Sequence, residues 1–392
     1  MLSPAKAKEK ALKALFVRKL MERGWLSALL GYLAKRDELK VRLKYIGDVT
    51  LRRTEFEALA AHAYYTAKCW PKLPDELART ASRFLKPQEA LSWLVTALYS
   101  SSYACRLQDY TAKCWPKLPD ELARTASRFL KPQEGPLWLV TALSLASYAC
   151  RLQASGNRVS IDLSPERVGL EVNGVSAVFN AHCVNAGDIA EIFAAGGYEV
   201  PEVLSGLRGR DVIDVGANVG DTALYFILNG ERKVIAVEPL PSVAKCAEEN
   251  VKLSGATDKV RVLNAALSDE PLSVPCDYDV LLSRYFSTLS SGPCKVPGVT
   301  LGDLLNMVND PYLLKMDCEG CEAQVILGPE RERLRAFEHI IFETHPHITG
   351  VSNDKLLASL KELGFECRPL RHGSKLDVNI YHCKNLGKEF SA

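Results

Sequence analysis

The chain has 392 residues, 47% hydrophobic and 24% charged, with 49 Lys and Arg against 47 Asp and Glu. That length admits two domains with a full α/β core, and the composition excludes a disordered or fibrous chain. A net charge of +2 gives no global argument for a nucleic-acid partner.

Charge is nevertheless uneven, because residues 1–36 hold nine Lys or Arg against Glu9 and Glu22. With Ser3 as N-cap, Pro4 at the first helical position and Leu12, Leu15, Phe16 and Leu20 on one face, this segment reads as an amphipathic helix. A membrane-surface or RNA-binding arm is the competing reading. The basic start runs into charged residues instead of an apolar stretch, so no signal peptide is expected and the expected location is cytoplasmic. Twelve cysteines are scattered along the chain, and Cys69, Cys105, Cys114 and Cys150 are two copies of one pair. Free, mostly buried thiols are therefore the expectation.

A tandem repeat occupies residues 65–108 and 110–153, with YTAKCWPKLPDELARTASRFLKPQE standing identically at 65–89 and 110–134. Each copy reads as two helices, the first stopped by Pro87 in copy one. Two copies are too few for a self-supporting solenoid, and such close identity argues for recent duplication. The apolar stretches 90–107 and 135–152 are broken by Ser and Thr and end at Arg106 and Arg151, which favours packed helices over membrane spans. Residues 1–153 are accordingly read as a helical N-terminal region.

From residue 154 the texture becomes strand-like. Leu170, Val172, Val175 and Ala177 flank Asn173-Gly174, the signal of a hairpin with a type I′ turn. A helix is expected over 188–195. Apolar runs then recur at 211–215, 233–237, 260–264, 312–316 and 339–343, with a helix at 356–363 and a closing strand pair at 365–370 and 377–382. Alternation of this kind predicts a doubly wound, Rossmann-like α/β sheet over 154–392, preceded by the hairpin.

The stretch DVIDVGANVGDTALYF at 211–226 reads as a strand, a glycine turn and a helix start, with Asp221-Thr222 at the expected cap. Glu238 ends the next apolar run at the distance expected for an acid that grips ribose hydroxyls. Asn218 stands where a dinucleotide fingerprint needs its second glycine, which disfavours a pyrophosphate and a nicotinamide-dependent oxidoreductase. S-adenosylmethionine fits instead: its aminocarboxylate at Asp214, Gly216 and Asn218 before Gly220 and Asp221, its ribose at Glu238, and its adenine at Asn264 and Ala265.

The fourth run ends in LLKMDCEGCE, 313–322, at the carboxyl edge that faces the ligand crevice. Asp317 and Glu319 are candidates to orient an acceptor hydroxyl or take its proton, whereas Glu322 is expected to serve the start of the following helix. His345, after the fifth run and beside Glu343, is a candidate general base with a pKa suited to neutral pH. Asp310-Pro311-Tyr312 imitates an amine-binding signature but precedes its strand, which places it at the wrong end of the sheet. Cys318 and Cys321 form a C-x-x-C without a second ligand pair at close spacing, so no metal is expected and the pair reads as small buried residues.

Taken together, NAGDIAEIFAAGGYEV at 185–200, DVIDVGANVGDT at 211–222, VIAVEPLP at 234–241, VTLGDLL at 299–305, LLKMDCEGCE at 313–322 and IIFETHP at 340–346 resemble the FkbM-type family of S-adenosylmethionine-dependent methyltransferases. The resemblance spans roughly 180–385 and implies a class I methyltransferase fold with O-methylation as its activity. Cys318 and Cys321 depart from it, since small apolar residues are usual there. The expected acceptor is a hydroxyl of a small molecule or saccharide. An RNA- or other macromolecule-directed methyltransferase and a non-catalytic cofactor-binding module are the alternatives.

Overall fold

In a computed structural model of the chain, the structure describes residues 18–34, 36–52, 56, 59–60, 111, 113–115, 117–118, 121–122, 134–278, 280, 292–372 and 378–388. Two compact units are present, Met1–Cys150 and Arg151–Ala392.

In the first unit, β1 (Met21–Arg23), β2 (Glu38–Leu43) and β3 (Gly47–Arg52) form an antiparallel sheet in that order, with α1 (Trp25–Leu33) between β1 and β2. Strand β2 alternates, Leu39, Val41 and Leu43 being buried, as a sheet with one covered face requires. The apolar stretch at 135–152 lies in α2 (Glu134–Ala154), whose Pro136 stands in the first turn, where its missing N–H costs no hydrogen bond. No helix among the described residues is long and apolar enough to cross a membrane. The first repeat copy, most of residues 110–133 and the helix opened by Ser3 up to residue 17 lie outside the described residues. Leu20, expected on that helix, ends a 3-10 turn (Arg18–Leu20) that enters β1, so the β1–β3 sheet corrects the expectation of a wholly helical N-terminal region.

The second unit opens with an antiparallel meander, β4 (Val159–Leu163), β5 (Arg167–Val172) and β6 (Val175–Asn180). Val172 pairs with Val175 across Asn173 (φ 52°) and Gly174 (φ 89°), both left-handed as the two-residue turn demands. Helix α3 (Ala186–Ile189) continues through one π turn to Ala194, and α4 (Pro201–Gly206) leads into the main sheet.

That sheet is built from β7 (Asp211–Val215), β8 (Lys233–Val237), β9 (Val260–Leu263), β14 (Pro311–Met316), β15 (His339–Glu343), β16 (Phe365–His372) and β17 (Asn379–Asn385). Four short strands, β10 (Ala266–Leu267), β11 (Leu272–Val274), β12 (Cys294–Val296) and β13 (Gly298–Val299), form two side ladders. The main order is β16-β17-β15-β14-β7-β8-β9, parallel except for β17, which runs antiparallel to both of its neighbours. Every residue of β7 is buried, as expected for a parallel strand covered on both faces. Helices α5 (Asp221–Leu228), α6 (Pro241–Leu253), α7 (Leu301–Leu305), α8 (Cys321–Leu327), α9 (Pro346–Thr349) and α10 (Asn353–Glu362) alternate with the strands. Helix α7 starts in a capping box between Thr300 and Asp303, and α10 is capped by Ser352. The order of strands runs outward in opposite senses from β7 and β14, which are parallel neighbours, so their carboxyl ends frame the crevice of a topological switch point.

The expectation of free thiols fails: among the described residues no cysteine is free. Disulfides join Cys114–Cys150, Cys183–Cys246, Cys276–Cys294, Cys318–Cys321 and Cys367–Cys383. Tertiary pairing creates them. Cys367 and Cys383 stand opposite each other on β16 and β17, and Cys294 pairs with Val274 two residues from Cys276. Partners up to 63 residues apart leave no spacing signal in the sequence.

Candidate active site

Three turns at the carboxyl edge build the site. The first follows β7, where Gly216 adopts φ 74° and a Cβ placed there would overlap the backbone carbonyl of Asp317. Only glycine allows this closeness of the β7 and β14 ends. Asn218 is also left-handed, at φ 48°, a conformation Asn tolerates better than most residues. Its side chain donates to Asp188 Oδ2 at 2.6 Å, and its backbone N–H donates to Glu238 Oε2 at 3.0 Å. Gly220, at φ 80°, is itself the cap residue of α5, one position before the cap expected at Asp221-Thr222. Asp221 and Thr222 instead knit the turn, Thr222 Oγ1 donating to Asp214 Oδ2 at 2.6 Å and Thr222 N–H to Asp221 Oδ1 at 2.8 Å.

The second turn carries Glu238, whose Oε1 accepts from the Leu240 N–H at 2.9 Å. Both of its oxygens therefore hold backbone, and each retains a lone pair for a further donor. Burial pushes Glu238 up to about 7, against the lowering by those two amides. Asn264 donates to the carbonyls of Glu238 and Pro239, which fixes the end of β8 against β9, while Ala265 is buried beside it.

The third turn, after β14, holds Asp317, Cys318, Glu319 and Gly320. Glu319 has φ 55°, a strained conformation for a non-glycine side chain. Asp317 Oδ2 accepts from the Tyr198 hydroxyl at 2.8 Å. Burial would raise the Asp317 pKa, but Lys315 and His345 hold it below the usual carboxylate range. Glu319 moves the other way, to about 7, through burial and the charges of Asp317 and Glu322, which outweigh His345. Burial and Asp317 push Glu343 up to about 10, so Glu343 keeps a proton that it shares with Asp317.

His345 sits at the centre, 4% exposed, with Nδ1 2.9 Å from Glu322 Oε1. Its Nε2 faces Glu319 at 3.5 Å, Glu343 at 3.9 Å and Asp317 at 4.0 Å. Burial alone would lower its pKa, but the bond to Glu322 and the surrounding carboxylates raise it to about 9. The ring is thus an imidazolium at neutral pH. A general base with a neutral-range pKa, as expected from the sequence, is not what this environment makes. Glu322 serves the start of α8 as expected, though from the interior: it is 0% exposed, and its Oε2 accepts from the N–H of Gly320, the N-cap residue of α8, at 3.0 Å.

Sequence reasoning missed Lys315, Tyr198 and Asp188. Lys315 is 1% exposed, donates to the Gly216 carbonyl at 2.7 Å and pairs with Asp214 Oδ1 at 3.1 Å. A lysine inside the apolar run PYLLKM was the available signal. Tyr198 and Asp188 lie in the block at 185–200 that carries the resemblance, but nothing in its pattern tied them to the strand ends, since they join the site from a helix and loop ahead of the sheet. Asp310 and Tyr312 lie at the opposite end, with Asp310 on Arg210 and the Tyr312 hydroxyl on the Val203 carbonyl.

A cavity of about 410 Å³ adjoins these turns, lined in part by Val215, Gly216, Val237, Pro239, Ala265 and Cys318. Its size and largely apolar wall suit a planar base. Of the predicted cofactor residues, Gly216 and Ala265 line it; Asp214, Asn218, Gly220, Asp221, Glu238 and Asn264 form the framework behind. Asp317, Glu319 and His345 come together around the imidazole, next to Cys318 and Gly320 of the cavity wall.

Residues 214–367 match the family described as the methyltransferase FkbM domain, and the resemblance read from the sequence holds over that segment. Methyltransferase sdnD of Sordaria araneosa is 24% identical over 208 residues, 42% of this chain and 79% of that protein. Protein arginine N-methyltransferase 6 of Xenopus laevis is 34% identical over 79 residues, 20% of this chain, which thus spans 22% of that relative's length. Among solved structures, a METTL16 methyltransferase domain aligns over 71% of this chain and 91% of that one, with 12% identity and a TM-score of 0.38. The Arg151–Ala392 unit has the Rossmann-like class I methyltransferase fold, and S-adenosylmethionine is its cofactor.

Proposed function

We propose that the chain transfers a methyl group to a hydroxyl oxygen of a small molecule or saccharide, with Asp317 and Glu319 addressing the acceptor. The observation that carries this reading is the pairing of an ionised Asp317 with a Glu319 poised near neutrality at the edge of the Gly216 crevice. Glu319 is the group suited to receive the hydroxyl proton at pH 7, since a base works best near its own pKa. Asp317, held in place by Tyr198, orients the hydroxyl; His345, already protonated, keeps the acids together and balances their charge.

Bound S-adenosylmethionine supplies an electrophilic methyl on a cationic sulfonium. The chain's residues fit it: the apolar cavity for adenine, Glu238 for the ribose, and Asp214, Gly216, Asn218, Gly220 and Asp221 as the crook, with Asn264 and Ala265 at the base. Excess negative charge favours a cation there. The same excess disfavours a polyanionic acceptor such as RNA, whose phosphates need basic contacts. It also supports a second reading, a guanidinium acceptor, in line with the partial match to an arginine methyltransferase.

As domains we propose residues 154–392 for catalysis and 1–153, with the duplicated segments 65–108 and 110–153, for a separate region in which the β1–β3 sheet accompanies the helices. The disulfides favour an oxidising compartment or a hyperthermophilic cytoplasm over an ordinary reducing one. Calorimetry with S-adenosylhomocysteine and NAD, followed by product release over hydroxyl and guanidinium acceptors, tests the reading. Binding of NAD alone, or methylation confined to guanidinium groups, overturns it.

A further inference from the structure

Glu322 and the C-x-x-C belong to one constellation. The fully buried Glu322 carboxylate lies between two groups: Oε1 holds His345 Nδ1 at 2.9 Å, and Oε2 is 3.3 Å from Cys318 Sγ. Cys318 is bonded to Cys321, the first residue of α8, and both line the cavity beside Gly216. With Nδ1 engaged, the ring has one orientation, in which Nε2 meets Asp317, Glu319 and Glu343. His347, its ring 6.1 Å away, is the other titratable neighbour.

We propose that Glu322 is the positioning residue of the site: it fixes His345 through Nδ1, and through it the thiol or disulfide state of Cys318 and Cys321 reaches the acceptor crevice. This rests on the methyltransferase reading for its functional meaning but not for its geometry. In the disulfide, Cys318 sulfur has no proton, so Glu322 Oε2 accepts only from the Gly320 amide. An external dithiol reverses this by exchange. One of its thiolates attacks one sulfur of the Cys318–Cys321 bond, forming a mixed disulfide and releasing the other cysteine, and its second thiolate then attacks the mixed disulfide and displaces the cysteine still held there. The dithiol leaves as a disulfide, and two electrons and two protons end on Cys318 and Cys321. The new Cys318 S–H can donate to Glu322 Oε2. A carboxylate that accepts an extra donor holds an imidazolium proton less strongly, so reduction loosens His345 and the acids around it.

The test reads the imidazole itself. In the full chain, the His345 ring is titrated by NMR with and without dithiothreitol, in wild type, in Glu322→Gln and in Cys318→Ala/Cys321→Ala. Expected are a wild-type midpoint above every other histidine, a fall of about tenfold or more in proton affinity in Glu322→Gln, and a smaller fall on reduction of wild type. The double alanine variant should not respond to reductant, which separates this pair from the other disulfides. A midpoint unmoved in Glu322→Gln, or an equal response of wild type and double variant, overturns the proposal. If Glu322→Gln does not fold, the reductant comparison alone decides. S-adenosylhomocysteine binding in the same samples tests the methyltransferase reading separately, since neither result depends on turnover.

Discussion

The two ends of one sheet solve opposite electrostatic problems. At the amino ends of the strands, acids are matched: Asp211 with Arg232 at 2.8 Å, and Asp310 and Glu338 with Arg210 at 3.0 and 3.1 Å. Histidines there are neutral, because burial and each other's proximity push His339 to about 3 and burial pushes His382 to about 4, with Nδ1 of the first 3.0 Å from Nε2 of the second. At the carboxyl ends, Asp214, Asp221, Asp317, Glu319 and Glu322 face Lys315 and a protonated His345, while burial keeps Glu343 protonated and pushes Asp188 up. Matched charge needs no ligand, whereas surplus charge of one sign persists where a ligand of the other sign completes it. The difference marks the functional edge without reference to any motif.

The largest effect expected from disturbing this contrast is on chemistry. Asp317→Asn should lower methyl transfer by about 10²–10⁴-fold with little change in S-adenosylhomocysteine affinity, measured by product formation and calorimetry; a parallel loss of both would move Asp317 to the cofactor set. Lys315→Met removes the buried cation that Asp214 and Asp317 share. A destabilisation of about 3–5 kcal/mol is expected in urea unfolding, the cost of leaving a buried charge unpaired. Glu238→Gln should weaken the cofactor about tenfold, roughly 1.4 kcal/mol, while leaving the acceptor pH profile in place.

Protons sharpen the comparison further. The folded values of Glu238 and Glu319, about 7, stand above the ordinary 4.5, and that of His345, about 9, stands above 6.5. Raised values mean that the folded chain holds protons which the unfolded chain releases, so this stability is present below the ordinary values and is lost as pH rises through the folded ones. The ligand-free urea midpoint should therefore fall between about pH 6 and pH 9; a rising midpoint would show the surplus to be compensated. The smallest effect belongs to the other end, where Arg210→Met should cost on the order of 1 kcal/mol and leave methyl transfer unchanged.

How much of this was legible in the sequence follows from range. The runs that became β7, β8, β14 and β15 could be read because a parallel strand buried on both faces needs an unbroken apolar stretch, and Asn173-Gly174 could be read because its turn needs two left-handed residues. Gly216, Glu238, Asp317 and His345 lie at strand ends, where position along the run already implies the edge. What could not be read is whatever depends on a partner distant in the chain. The cysteine pairs formed by strand register, the tie from Tyr198 to Asp317 and the pull of Glu322 on His345 span from 16 to 119 residues without a spacing rule. The His345 charge state was misjudged for that reason, since it is set by four carboxylates from two segments.

One buried asparagine bears on where an independent catalytic fragment can begin. Asn250 on α6 accepts from the Asn180 N–H and donates to the carbonyls of Cys183 and Val219, and Ser254, one turn on, accepts from the Val178 N–H. The meander is thereby stitched to the loop just before α5. A truncation starting at the family match, residue 214, would orphan these groups, remove Tyr198 and Asp188, and strip β7 of its first residues; the minimal soluble fragment has to start ahead of β4.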